Sequence, residues 1–205
     1  TIINKNVARA NRIINDILDI ARRNQPHIVV FEIQIWLSVL VEEFKQNYPD
    51  VANALEIHVE PNAKFVVFDP SQLRQVIWNL LSNARMHGKT DKRPLKILVS
   101  VSSNLSYSWL TVQDNGEGLS DNKLAHLFEP FFSTHQQGTG LGLYLAREIC
   151  EANQAKIEYI RGMQGAAFRI TFSQARGMEM LPTTLAFYPI NQDLKVVNES
   201  DSRGV

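Results

Sequence analysis

Asp114-Asn115-Gly116-Glu117-Gly118 is the stretch that most narrows what this chain can become. It follows the apolar, strand-like run Ser108-Trp-Leu-Thr-Val-Gln113, so the Asp114 carboxylate arrives at the end of a strand. Two glycines separated by one residue let the backbone turn sharply and approach a flat ligand closely. A carboxylate that accepts an exocyclic amine, beside bare glycine backbone, suits the reading of an adenine ring. Such a turn is common by itself, and its neighbours carry the argument. Asn79-Leu-Leu-Ser-Asn83 lies upstream, and Phe128-Glu-Pro-Phe-Phe132 and Gly138-Thr-Gly-Leu-Gly-Leu143 lie downstream.

Composition sets the outer limits. With 205 residues and 44% hydrophobic content the chain can bury one good core and carry an appendage. Its 21 basic and 21 acidic residues balance, so bulk charge gives no reason to expect direct nucleic-acid binding. The single Cys150 has no internal disulfide partner, which fits a reducing compartment. No apolar run approaches the roughly 20 residues needed to span a bilayer, and no signal peptide opens the chain. The chain starts without Met inside a helical pattern, so we expect a piece of a longer, cytosolic protein.

Ile3, Val7, Ala10, Ile14, Ile17 and Ala21 follow heptad a/d spacing, broadened by Ile13, Leu18 and Ile20 as a helical bundle requires. Gln25-Pro26 breaks this helix. His27 to Phe31 reads as a strand, and Ile33, Leu37, Leu40, Val41 and Phe44 as the face of a helix that Tyr48-Pro-Asp50 ends. Leu55 to Glu60 alternates as a strand with His58 outward, and Lys64 to Phe68 is a second strand across the turn Pro61-Asn62. Asp69-Pro70 offers an N-cap with proline at the first helical position. Leu73, Val76, Ile77, Leu80, Leu81 and Ala84 form the apolar face of the helix that follows, with Asn79, Asn83 and His87 along its flank. An uncharged amide oxygen can ligate Mg²⁺ without adding charge beside a triphosphate. Lys96 to Ser102 and Trp109 to Asp114 pair across Asn104-Leu-Ser106, and Ser120 opens a short helix to Phe128. Gly138, Thr139, Gly140, Leu141, Gly142 and Leu143 lead into a helix ending at Ala152; bare backbone N–H groups and a helix N-terminus make a phosphate cradle. It is neither a Walker A loop nor a Rossmann fingerprint, since the Lys-Ser/Thr ending and the required spacing are missing. Lys156 to Arg161 and Ala167 to Phe172 form a closing hairpin, and the tail from Ala175 shows no clear periodicity.

The four blocks, in this order, resemble the N, G1, F and G2 boxes of the histidine-kinase ATP-binding domain, a member of the GHKL (Bergerat) superfamily. Asn11-Arg-Ile-Ile-Asn-Asp-Ile-Leu-Asp-Ile-Ala-Arg22 is similar to the second helix of that family's dimerisation and phosphotransfer hairpin. The resemblance implies an α/β two-layer sandwich, a mixed sheet with helices on one face, preceded by one hairpin helix. Residues 1–24 are then the hairpin helix, 25–174 the ATPase domain and 175–205 a tail of unassigned role. By resemblance Asn83 ligates Mg²⁺ and Asn79 holds a catalytic or water-positioning place. Asp114, Gly116, Gly118 and Leu119 meet the base, and residues 138–143 hold the phosphates of ATP. His135, the basic residue of the lid, stands where relatives often have Lys. His87 either lies near the adenine or ribose or is a helix-terminal histidine favoured by the dipole. Met86 departs from the Lys or Arg common in the family, and Arg85 points about 100° away around the helix. Gly165-Ala-Ala-Phe168 loosely resembles the structural G3 box.

The expected activity is transfer of the γ-phosphoryl group of ATP to a histidine of the dimerisation hairpin, then to a response-regulator receiver domain. None of His27, His58, His87, His126 or His135 has the context of the phosphoacceptor, so that residue is expected outside this chain. The intact protein would be a homodimer through its hairpin and an inner-membrane sensor, attached to the membrane only by an upstream segment. The stretch from Gly142 to Ala155 is similar to pilus-regulating sensor kinases. Two other classes stay open: another GHKL ATPase, against which Asn79 speaks where those carry Glu, and a nucleotide-binding regulatory module without kinase activity.

Overall fold

The computed structural model describes residues 25–88, 93–133 and 138–174. The proposed hairpin helix of residues 1–24, His135 and the tail of residues 175–205 lie outside the described residues. In chain order the elements are β1 (Val29–Glu32), α1 (Ile33–Asn47), a 3₁₀ turn (Pro49–Val51), β2 (Leu55–Val59) and β3 (Phe65–Phe68). Then come α2 (Pro70–His87), β4 (Ile97–Ser103), β5 (Ser108–Asp114), a single-turn α3 (Asp121–Leu124), α4 (Gly142–Ala152), β6 (Lys156–Tyr159) and β7 (Ala167–Thr171).

Five strands form one mixed sheet in the order β2-β4-β5-β7-β6, with β2 parallel to β4 and the other neighbours antiparallel. The helices cover one face, which is the two-layer sandwich expected. Alternation explains the layering: Ile97, Val99 and Val101 of β4 are buried, while Leu98 between them is exposed. Leu73, Val76, Ile77, Leu80, Leu81 and Ala84 of α2 are all buried, together with Trp36, Leu37, Leu40, Val41 and Phe44 of α1. Each of the larger side chains contributes about 1.5–3 kcal/mol on burial, so these two stripes anchor the helical layer. Cys150 is buried in the same core, and burial pushes its thiol up to about 12, so it stays protonated and inert. Among the described residues no helix is long and apolar enough to cross a membrane.

A buried polar joint sets the pitch of α2 against α4. Asp69 caps α2 as expected: its carboxylate accepts from Ser71 N at 2.9 Å and Gln72 N at 3.1 Å, and its other oxygen from His27 N at 2.8 Å. The fully buried Asn153, just beyond α4, accepts from Asp69 N at 2.8 Å and donates to Gln72 at 2.6 Å. With every polar group partnered, the start of α2 and the end of α4 are tied together.

The strands before and after the turn at Pro61-Asn62 stand as expected, and their partners lie elsewhere: β2 runs parallel along β4, with Glu60 N donating to Val101 O, whereas β3 pairs with β1. One local expectation is corrected. The helix starting after Ser120 is only four residues long and passes into turns, and the Ser120 side chain makes no cap bond. The pairs β4/β5 and β6/β7, and the exposure of His58, are as the sequence indicated.

Candidate functional site

β5 ends at Asp114, and what lies around that carboxylate decides the site. Asp114 is 6% exposed, and its Oδ1 accepts from Gly116 N at 2.8 Å and Ala166 N at 3.1 Å. Both bonds go to Oδ1, so Oδ2 is the oxygen left for a ligand. Burial pushes the Asp114 pKa above the ordinary carboxylate value; the Ala166 and Gly116 N–H groups and the His87 charge pull it back only in part. The turn beyond it is fixed by space. A Cβ at Gly116 would come within 2.6 Å of His87 O, so the end of α2 and the acidic turn fit only without a side chain there.

A cavity of about 860 Å³ opens over this carboxylate. Asn79, Asn83, Met86 and His87 line it from α2, Asp114, Glu117, Gly118 and Leu119 from the acidic turn, and Gly138, Thr139, Gly140, Gly142 and Leu143 from the glycine loop. Asn79 Nδ2 lies 3.4 Å from Gly142 O, so the asparagine flank faces the loop directly. Gly116 and Leu141 do not line the cavity; both are buried behind its wall, where Gly116 supplies clearance and Leu141, 1% exposed, anchors the loop in the core. His87 belongs to both readings offered for it, since it lines the cavity and stands in the last turn of α2.

The donor set suits a magnesium nucleotide. Among the described residues no three or more His, Cys, Asp or Glu side chains gather as a cage. Mg²⁺ needs none: it takes one or two protein oxygens, substrate phosphates and retained water, and the Asn83 amide is such an oxygen.

The family model for histidine kinase-, DNA gyrase B- and HSP90-like ATPases matches residues 68–176, from the last residue of β3 past the end of β7. The chain belongs to this ATPase family. Sensor protein kinase PilS of Pseudomonas aeruginosa is 38% identical over 183 residues, which cover 85% of this chain and 33% of that protein. This chain thus spans about a third of that relative's length. The fold is shared with histidine kinase ThkA in complex with response regulator protein TrrA, at a TM-score of 0.67, 21% identity and coverage of 83% of this chain and 49% of that one. Full-length ShkA in complex with AMPPNP superposes with a TM-score of 0.65 at 23% identity, covering 80% of this chain and 36% of that one.

For a member of this ATPase family, the cavity has more lining than the motifs announced. Ala166, read from sequence as part of a structural loop, bonds the Asp114 carboxylate from 52 residues away. Tyr159 accepts from Leu119 N at 3.3 Å and steadies the acidic turn. Tyr48, Trp78, Ser82, Arg85, Lys123 and Phe168 also face the cavity. Trp78, Ser82 and Arg85 had a legible signal, because they follow helical spacing beside the two asparagines; Tyr48 and Lys123 had none.

The raised pKa of Asp114 has a measurable sign. The folded chain keeps a proton that the unfolded chain releases above 3.8, so this group's contribution to stability falls as pH rises from 3.8 through the folded value. Below that window its cost is absent; above, constant. Urea denaturation of wild type and Asp114→Asn should show Asn more stable near neutrality, with the gap closing as pH falls. A pH-independent gap would contradict the burial argument.

Proposed function

We propose that this chain binds Mg²⁺-ATP and, within the intact protein, presents its γ-phosphoryl group to a histidine of the dimerisation hairpin. The phosphoryl group would then pass to a response-regulator receiver domain. The observation carrying this reading is the arrangement of Asp114 Oδ2, the asparagine flank and the glycine loop around one cavity. Asp114 accepts the exocyclic amine of adenine, and Gly118 and Leu119 border the base. Loop backbone and the start of α4 receive the phosphates. Asn83 would hold Mg²⁺, which supplies charge neutralisation for the phosphates. Asn79, against Gly142, would orient the attacking group. Such catalysis rests on positioning and charge rather than on a covalent step in this domain. The relatives' kinase names and the response-regulator complex of ThkA support the same reading.

Calorimetric titration tests it. Asn83→Ala should weaken Mg²⁺-ATP binding about tenfold, the cost of one good ligand contact, with metal-free ATP binding unmoved. Equal wild-type affinity with and without Mg²⁺ would remove Asn83 from the metal site. Met86, 43% exposed in the cavity where a cation would aid catalysis, favours a second reading, a nucleotide-binding regulatory module. Transfer of label from γ-³²P-ATP to a supplied hairpin histidine separates the two readings.

A further inference from the structure

The turn from Glu129 to Phe132 holds a backbone that its own residue types disfavour. Phe132 N donates to Glu129 O at 3.4 Å, which closes a four-residue turn with Pro130 second and Phe131 third. Phe131 has a φ of +66°, in the left-handed region. Proline followed by a positive φ is the type II arrangement, whose third place favours glycine or asparagine. A bulky L side chain is disfavoured there because its Cβ crowds the following carbonyl oxygen. The Phe131 ring does not offset this by burial, since the residue is 69% exposed. Something other than the packing of its own ring therefore holds the conformation.

The glycine loop lies against it. A Cβ added at Gly140 would sit 2.4 Å from the carbonyl carbon of Phe131 and 2.7 Å from both its Cα and its carbonyl oxygen. Bare glycine backbone therefore packs on the Phe131 peptide, and no side chain fits between them. The touching carbonyl belongs to the peptide that swings when Phe131 leaves the left-handed region, so the two backbones hold each other. Gly140 lines the cavity, as do Phe132 and Ser133. Other contacts fix its neighbours in the loop. Leu141 is buried in the core and its N–H donates to Thr139 Oγ1 at 3.3 Å, while Asn79 Nδ2 lies 3.4 Å from Gly142 O. It is the Phe131 backbone that meets Gly140 itself. The turn is braced in its own right: His126 Nδ1 lies 2.9 Å from the Glu129 carboxylate, and the His126 ring centre 5.8 Å from that of Phe132.

We propose that Phe131 is a positioning residue for the phosphates of the bound nucleotide: its left-handed backbone, and not its ring, seats Gly140 and so sets where the glycine loop stands. This rests on the nucleotide reading above and deepens it. The test is titration of Mg²⁺-ATP and of adenosine into wild type, Phe131→Val, Phe131→Gly and Phe131→Asn, with thermal melts alongside. All three variants remove the ring, but only the β-branched valine resists the left-handed region. Phe131→Val should lose about tenfold in ATP affinity, as displacement of one phosphate contact requires, and keep its affinity for adenosine, which the loop does not hold. Glycine and asparagine should rescue the loop, with ATP affinity within about twofold of wild type and a melt no lower. Should Phe131→Val melt too early to titrate, Phe131→Ala takes its place, since alanine also lacks the ring and is strained less; its ATP affinity should fall below that of Phe131→Gly. Equal ATP loss in all the variants would assign the effect to the ring and overturn the proposal. So would a valine variant that keeps ATP affinity, or one that loses adenosine equally; in each case nucleotide binding stands. A wild type that binds neither ligand overturns both.

Discussion

Asp114→Asn is expected to remove ATP binding by about two orders of magnitude while leaving the fold as stable as wild type or more so. Two backbone donors, Gly116 N and Ala166 N, hold one oxygen of this side chain. An asparagine must keep its own oxygen toward those donors, which turns its NH₂ group to the ligand. The adenine amine is a donor too, so an acceptor–donor contact becomes a donor–donor contact inside a desolvated pocket. A mismatch of this kind costs about 3 kcal/mol, near a hundredfold in affinity. Stability moves the other way because burial already disfavours the ionised carboxyl, and the neutral amide keeps the same bonds. Calorimetry and thermal melting on one preparation decide it. Retained ATP affinity would show that the base is read elsewhere; lost affinity with a collapsed melt would show that Asp114 is a structural residue.

What could be read from the sequence was whatever a short window contains. The Asp69-Pro70 cap, the buried stripe from Leu73 to Ala84 and the glycine loop of residues 138–143 are local patterns, and each stands in the structure where its pattern put it. At Pro61-Asn62 the turn was legible and the strand partners were not. The chain does turn there, but β2 is held by β4, roughly forty residues downstream, and nothing between Leu55 and Phe68 encodes that parallel pairing. The site divides in the same way. Asp114, Asn79 and Asn83 announce themselves, whereas the Ala166 N–H that fixes the carboxylate arrives on the loop before β7, and its amide carries no side-chain signature. Arg85 was legible as a cation turned about 100° from Met86, and its place on the cavity wall was not. A side chain about 100° from Met86 still reaches the cavity when the wall extends to Tyr48.

Gly165→Ala is expected to destabilise the protein by about 3 kcal/mol or more and to abolish nucleotide binding with it. A Cβ at Gly165 would sit 2.1 Å from the carbonyl oxygen of Asp114 and 2.7 Å from its carboxylate, at a φ of +77°. The obstruction is backbone from the end of β5, which cannot swing aside as a side chain would. Relief must come from moving the loop, and the loop carries Ala166, whose C=O accepts from Asp114 N at 2.9 Å and whose N–H holds Oδ1. The left-handed conformation costs about 1–2 kcal/mol for any L side chain, and overpacking adds about 1–3. Gly162→Ala separates these contributions. Its φ is +80°, nearly the same, but nothing lies within 4 Å of its added Cβ. It should therefore lose only the conformational part and keep ATP affinity near wild type. Urea denaturation of both variants with parallel ATP titration makes the comparison. Equal losses in the pair would mean that backbone strain alone matters and that the close contact with Asp114 does not hold the site together. A larger loss at Gly165, with affinity lost there alone, would show that the geometry of the Asp114 carboxylate is set by the loop before β7.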